Sequence, residues 1–158
     1  MNRLSMRDQK WPLLPTVGLV TLILLSASAF ATEAHGTCTA ATMHGTYVYG
    51  YTGYTAIGST LTRFAVAGLV VFNGKGASHG IWTTATEGEP VKRQSTFHGI
   101  YNVNADCSAT EIDTDQDGNT FHYDDFTQPG GQEVSFVQTD PNVVSSGTET
   151  RTQGILFH

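Results

Sequence analysis

The sequence predicts an all-β fold: an antiparallel up-and-down meander of about eight short strands that closes into a small barrel and carries one disulfide. Three observations predict it. Beyond residue 31, apolar residues recur with period two and no helical periodicity appears. Each alternating run is bounded by Gly, Pro, Asn or Asp, the residues that turn a chain. All connections are local, which places consecutive strands side by side and antiparallel.

Residues 1–31 read as a cleaved secretory signal peptide. Arg3, Arg7 and Lys10 make its basic opening, and "LLPTVGLVTLILL" (Leu13 to Leu25) its apolar centre. "SASAFA" follows, with Ala29 and Ala31 at the small-residue positions of a cleavage site. The apolar run is short of the roughly 20 residues a membrane-spanning helix needs, and Pro15 interrupts it. Residues 32–158 then form a single domain.

Within that domain "GTYVYGYT" (Gly45 to Thr52) is the first strand. "LTRFAVAGLVVF" (Leu61 to Phe72) is the second, with Phe64, Val66, Val70 and Phe72 on one face and Ala65, Ala67, Leu69 and Val71 on the other, so that both faces are expected to be covered. "NGKG" turns the chain, because Asn-Gly accepts positive φ at little cost. "ASHGIWTTAT" returns, and "EGEP" turns again. "STFHGIYNVN" puts Phe97, Tyr101 and Val103 on one face. "CSATEIDT", "NTFHYDDF", "EVSFVQTD" and "VVSSGTETR" follow, and "GILFH" is a candidate closing segment. An outer-membrane barrel is disfavoured, because the outward row Thr120, His122 and Asp124 would meet lipid.

Charge and cysteines narrow the function classes. Without the leader the chain keeps five basic and thirteen acidic residues, a formal charge of −8. That balance disfavours nucleic acid and anionic membranes as partners. Cys38 and Cys107, an even pair in an exported chain, are expected to form a disulfide. The expected location is the periplasm or the extracellular medium. The six histidines, His35, His44, His79, His98, His122 and His158, show no metal-ligand spacing, although His44 and His98, each before Gly-x-Tyr, could be matching strand starts. No G-x-S-x-G elbow occurs, and no catalytic residue is assigned.

"EIDTDQDGNTFHYDD" (Glu111 to Asp125) holds the sharpest chemical question. Asp113, Asp115, Asp117, Gly118 and Asp124 fall at positions one, three, five, six and twelve of a calcium loop. Position twelve is one methylene too short, however, and strands rather than helices flank the segment. A hairpin explains more. A two-residue turn at Asp117-Gly118 pairs Asp115 with Thr120, Thr114 with Phe121, Asp113 with His122, Ile112 with Tyr123 and Glu111 with Asp124. One face is then apolar or neutral and the other acidic. Glu111, Asp113 and Asp124 on the outer face make a candidate weak Ca²⁺ site, and no other cofactor is expected.

Four phrases, "HGTYVYGYTG", "LVVFNGKGASHG", "FHGIYNVNADCSAT" and "VSSGTETR", carry a resemblance. They are similar to those of small exported bacterial proteins that share a G-T-Y start, an F-[DN]-G-x-G hairpin and a G-x-Y-x-V-N-x-D-C segment. The resemblance implies a compact barrel of the calycin or allene-oxide-cyclase-like kind and supports the disulfide position. It brings no activity and no site residue.

The functional expectation is an exported, non-enzymatic barrel that binds a small apolar molecule. Its candidate interior is Tyr47, Phe64, Val66, Val70, Phe97, Tyr101, Phe121, Tyr123 and Phe136. The alternatives are a structural or surface-interaction protein with a filled core, and an enzyme of cyclase or isomerase type by analogy of fold. An interior cavity with a polar end group separates the first two, and convergent ionisable groups inside it raise the third.

Overall fold

The structure, a computed structural model, describes residues 37–153, with Ile57 described through its backbone only. The expected leader and the closing "GILFH" lie outside the described residues. Eight strands follow one another: β1 (His44–Ile57), β2 (Thr60–Asn73), β3 (Ala77–Thr86), β4 (Lys92–Val103), β5 (Ser108–Asp115), β6 (Thr120–Thr127), β7 (Glu133–Gln138) and β8 (Val143–Arg151). Each pairs antiparallel with the next, and β8 pairs back onto β1, closing the barrel. Closure leaves no open sheet edge, so every strand is hydrogen-bonded on both sides. The all-β meander expected from the sequence is therefore the fold, and Cys38 and Cys107 are joined by a disulfide.

Alternation decides what fills the interior. Tyr47, Tyr49 and Tyr51 point inward from β1, Val66, Val70 and Phe72 from β2, and Phe97 and Tyr101 from β4, all buried in one cluster. Eight strands enclose a space just wide enough for side chains, and here aromatic rings fill much of it edge to face. Tyr47, Phe72 and Tyr101 stack in this way with centroids 5.2 and 5.0 Å apart. The outer row of β2 is less covered than its composition suggests: Ala65 and Ala67 are exposed, while Leu69 and Val71 are half-buried. A barrel gives each strand one buried face, whereas a doubly covered strand needs a second layer. Thr120, His122 and Asp124 do form an exposed outward row. His44 starts β1, but His98 lies in the middle of β4.

One end of the barrel is closed by the chain that leads into it. A 3-10 turn at Ala40–Thr42 carries Met43 into the core, where it is fully buried. The Tyr101 hydroxyl donates to the Met43 carbonyl at 2.8 Å. The Arg151 guanidinium donates to the Thr42 carbonyl at 2.6 Å and to the Tyr47 hydroxyl at 2.8 Å, and that hydroxyl donates to the Gly131 carbonyl at 2.6 Å. The opposite end carries the β3–β4 and β5–β6 turns and stays open.

The β5–β6 register differs from the expected one. Thr114 faces Thr120, Asp113 faces Phe121, Ile112 faces His122, Glu111 faces Tyr123 and Thr110 faces Asp124. The loop has three residues, Gln116 to Gly118. Gly118 N–H donates to the Asp115 carbonyl and Asp115 N–H to the Asn119 carbonyl, both at 3.0 Å. Only Gly118, at φ +84°, takes positive φ, whereas a two-residue type I′ turn would need Asp117 there as well. The Asp115 carboxylate selects this turn by accepting the Asp117 and Asn119 N–H groups at 2.9 and 2.8 Å. Against its own burial, a third bond from the Asn119 side-chain amide at 3.0 Å, together with these two, holds the Asp115 carboxyl below its ordinary pKa.

Candidate functional site

That single-residue difference changes the chemistry of the interior. Sliding β5 by one position exchanges its faces. Ile112 is exposed, while Glu111 and Asp113 are buried, 5% and 6% exposed. Asp124 remains outside. Glu111 and Asp113 therefore face inward and Asp124 outward, and the outer-face Ca²⁺ site expected from the three is not formed. Among the described residues no three His, Cys, Asp or Glu side chains are grouped to hold a metal ion.

The interior instead gathers four carboxyl groups. Glu111 and Asp113 come from β5, Asp125 from β6 and Glu149 from β8, and all are buried. Ser78 of β3 donates its hydroxyl to Glu111 at 2.7 Å. The Tyr51 and Tyr123 hydroxyls lie 3.3 Å apart. Among the described residues, four buried side-chain oxygens have no hydrogen-bond partner: Asp113 Oδ1, Asp125 Oδ2, Glu149 Oε2 and Tyr49 Oη. The four residues that carry them line a central void of about 20 Å³, also walled by Val70, Trp82, Phe97 and Phe136.

Burial dominates the electrostatics. Removal from water pushes Glu111 up to about 7, although hydrogen bonds from Ser78 and Asp113 oppose it. Burial, then the charge of Glu111, pushes Asp113 up to about 10. Asp125 and Glu149 are raised well above the ordinary carboxylate range, first by burial and then by Glu111. The Tyr51 phenol is pushed up to about 12, again mainly by burial. In an apolar barrel these acids are held neutral unless a positive charge joins them.

Gly99 makes room for the cluster. A methyl group there would run into Asp113 Oδ1 and Ser78 Oγ, with the Ile112 carbonyl 3.1 Å away. Gly99→Ala is expected to lose about 2 kcal/mol in urea unfolding, the usual effect of overpacking. An unchanged midpoint would show that Asp113 has space to retreat.

The open end holds the second feature, a pocket of about 280 Å³. Tyr51, Phe64, Trp82 and Phe121 are its aromatic walls, and Ser95, Gln138 and Lys92 are among its polar lining. Trp82 packs parallel to Phe97 at 4.8 Å and edge-on to Phe121 at 5.2 Å, which fixes the indole. Lys92 at the rim pairs with Asp117 at 3.7 Å. Tyr51 and Trp82 line both this mouth and the central void. A broader depression of about 950 Å³ lies around the outward residues Tyr54, Arg63 and Val144.

All nine residues expected inside belong to the interior cluster, with Phe64 and Phe121 only partly buried. Sequence reasoning missed Asp125, Glu149, Tyr49 and the inward placement of Glu111 and Asp113. The signal for Asp125 was present, since it lies two residues from Tyr123 and so shares its face. Asp106, beside Cys107, closes a turn, accepting the Ser108 N–H at 3.1 Å and the Ser108 hydroxyl at 2.7 Å. Comparison with known protein families, curated proteins and solved structures finds no match to this chain.

Proposed function

We propose that the protein is an exported, non-enzymatic binding module that takes a small apolar ligand at the open end of its barrel. The observation that carries this reading is the aromatic mouth of about 280 Å³ between Tyr51, Phe64, Trp82 and Phe121. Its size, at the low end of ligand pockets, suits a compact molecule with one polar group. Ser95 and Gln138 supply polar contacts at its wall. The disulfide supports an oxidising compartment. The charged outward row of β6 supports a water-facing outer wall.

A second reading, an enzyme of cyclase or isomerase type, is favoured by the convergence of four buried carboxyl groups. The void they line has room for one water-sized particle and not for an organic substrate, so the binding reading is preferred. A filled structural barrel is the outcome if nothing binds.

Trp82 reports on the mouth, and the only other tryptophan, Trp11, belongs to the expected leader. Hexan-1-ol and benzyl alcohol titrated into the exported protein are expected to change its emission saturably. Thr84→Phe, which narrows the mouth, is expected to weaken that binding at least about 10-fold with little change in melting temperature. Equal binding by the variant would place the ligand elsewhere, and no saturable change would leave the structural barrel.

A further inference from the structure

We infer that the barrel centre binds an ammonium group, either the free ammonium ion or the head of a small primary amine. The void of about 20 Å³ admits one water-sized particle, and an ammonium group is of that size. Three acids that line it carry, among the described residues, an oxygen without a hydrogen-bond partner: Asp113 Oδ1, Asp125 Oδ2 and Glu149 Oε2. An alkylammonium offers three N–H donors and no acceptor, which matches three carboxyl oxygens. A second, independent observation is the Tyr49 hydroxyl. It belongs to β1 and is no part of the acidic set; Tyr49 is 6% exposed and lines the same void, and among the described residues its hydroxyl too has no partner. Its oxygen takes the fourth N–H of a free ammonium ion, and its proton satisfies a carboxylate when an amine head leaves only three.

Charge points the same way. Four acids enclosed together repel one another when ionised, and a single enclosed cation relieves each of them. An anionic head group would add to the repulsion. A hard divalent metal fits less well, since it needs six or more oxygen ligands at short range. Among the described residues no such grouping of carboxylates is formed, and the void leaves no room for added waters. The void and the mouth adjoin the same two aromatic side chains. Tyr51 and Trp82 border both the void and the mouth, so an amine with its head at the centre and its tail in the mouth lies beside two aromatic rings, and these attract cations.

The amine form rests on the mouth as a ligand site, as proposed above; the free-ion form does not. The test compares hexylamine, hexan-1-ol and hexanoate, with ammonium, sodium and calcium chlorides at matched ionic strength. It uses the exported protein in phosphate at pH 7 for organic ligands and sodium chloride, and cacodylate for the calcium comparison. Trp82 emission and melting temperature are the readouts. Hexylamine is expected to bind at least about 10-fold tighter than hexan-1-ol, the minimum for a charge-assisted hydrogen bond, and hexanoate weakest. The amine-to-alcohol ratio is expected to fall about 10-fold in Glu149→Gln and in Asp125→Asn, two near-isosteric changes whose folding circular dichroism checks. Ammonium chloride is expected to raise the melting temperature above that in sodium chloride. If it does so while hexylamine gives no advantage, the centre takes the free ion. If hexan-1-ol binds as tightly as hexylamine and ammonium behaves as sodium, the inference falls and the mouth reading stands. An amine preference that persists in both variants also overturns it. If neither organic ligand binds and ammonium behaves as sodium, both readings fall. Stabilisation by calcium beyond that by ammonium overturns it in favour of a metal site.

Discussion

The barrel is expected to lose stability as pH rises from 5 to 8. The four interior acids set this direction. Glu111 is pushed up to about 7 and Asp113 to about 10, with burial the main cause in both. In the unfolded chain both titrate in the ordinary carboxylate range near 4. Between the unfolded and the folded pKa the native state holds protons that the unfolded chain has released, so stability falls with each increment of pH. Their contribution is complete below pH about 4, declines through 7 for Glu111, and continues to decline towards 10 for Asp113. For Glu111 alone the loss is on the order of 3 kcal/mol by pH 7, a sizeable part of a small domain's stability. Asp115 and Asp140 act in the opposite sense. Burial raises each, but hydrogen bonds outweigh it, from Asn119 and Asp117 in the first case and from Gln138 and His122 in the second. Their contribution is lost as pH falls below the carboxylate range, which sets an acid limb beneath the optimum. Urea unfolding at pH 5, 6, 7 and 8, in buffers without amines, should give a falling free energy. Asp113→Asn should flatten the curve and stabilise the protein at pH 8. A free energy that is level or rises across that range would mean that the acids are neutralised by something other than protons.

The strands were legible because alternation is a local property. "ASHGIWTTAT" and "VVSSGTETR" mark β3 and β8 end to end, and Phe97 with Tyr101 marks the inner face of β4. The acidic site was hidden by a turn. "DGN" suits either a two-residue or a three-residue loop, and the choice depends on where the Asp115 carboxylate hydrogen-bonds, a detail of atoms rather than of residue type. Hydrophobic pattern then pulled the reading the wrong way. Ile112 is the apolar residue of β5, and it faces solvent beside Ile100 of β4. Two acids in an interior break the rule that patterning relies on, and such local violations are where function concentrates. Gly99 was a clue of another kind. A glycine between inward Phe97 and Tyr101 shares their face, and the space it leaves is taken by Asp113. The sequence contains the glycine but not the identity of its neighbour across the barrel.

Reduction of Cys38–Cys107 is expected to be the largest perturbation apart from alkali. The bond joins residues 69 apart, and removing so long a cross-link frees about 4 kcal/mol of chain entropy in the unfolded state. Its position adds a structural consequence. Cys38 is buried and lies just ahead of the 3-10 turn, whose Thr42 carbonyl receives Arg151 and whose Ala40 carbonyl receives the Tyr101 hydroxyl. Backbone contact there is otherwise thin: Cys38 N–H donates to the Ala105 carbonyl at 3.3 Å. The disulfide thus holds the plug that keeps Met43 and Tyr47 out of water. With it reduced, the closed end should open before the barrel unfolds, because the eight-strand ladder does not depend on the plug. Hydrogen exchange in the Cys38→Ser/Cys107→Ser variant should therefore accelerate first at Thr42, whose N–H donates to the Thr39 carbonyl. The middle of β1, paired on both sides, should exchange only with global unfolding. A variant that loses about 4 kcal/mol with uniform acceleration would assign the whole effect to the unfolded chain. A loss below about 1 kcal/mol would mean that Met43, Arg151 and Tyr101 hold the plug without the bond.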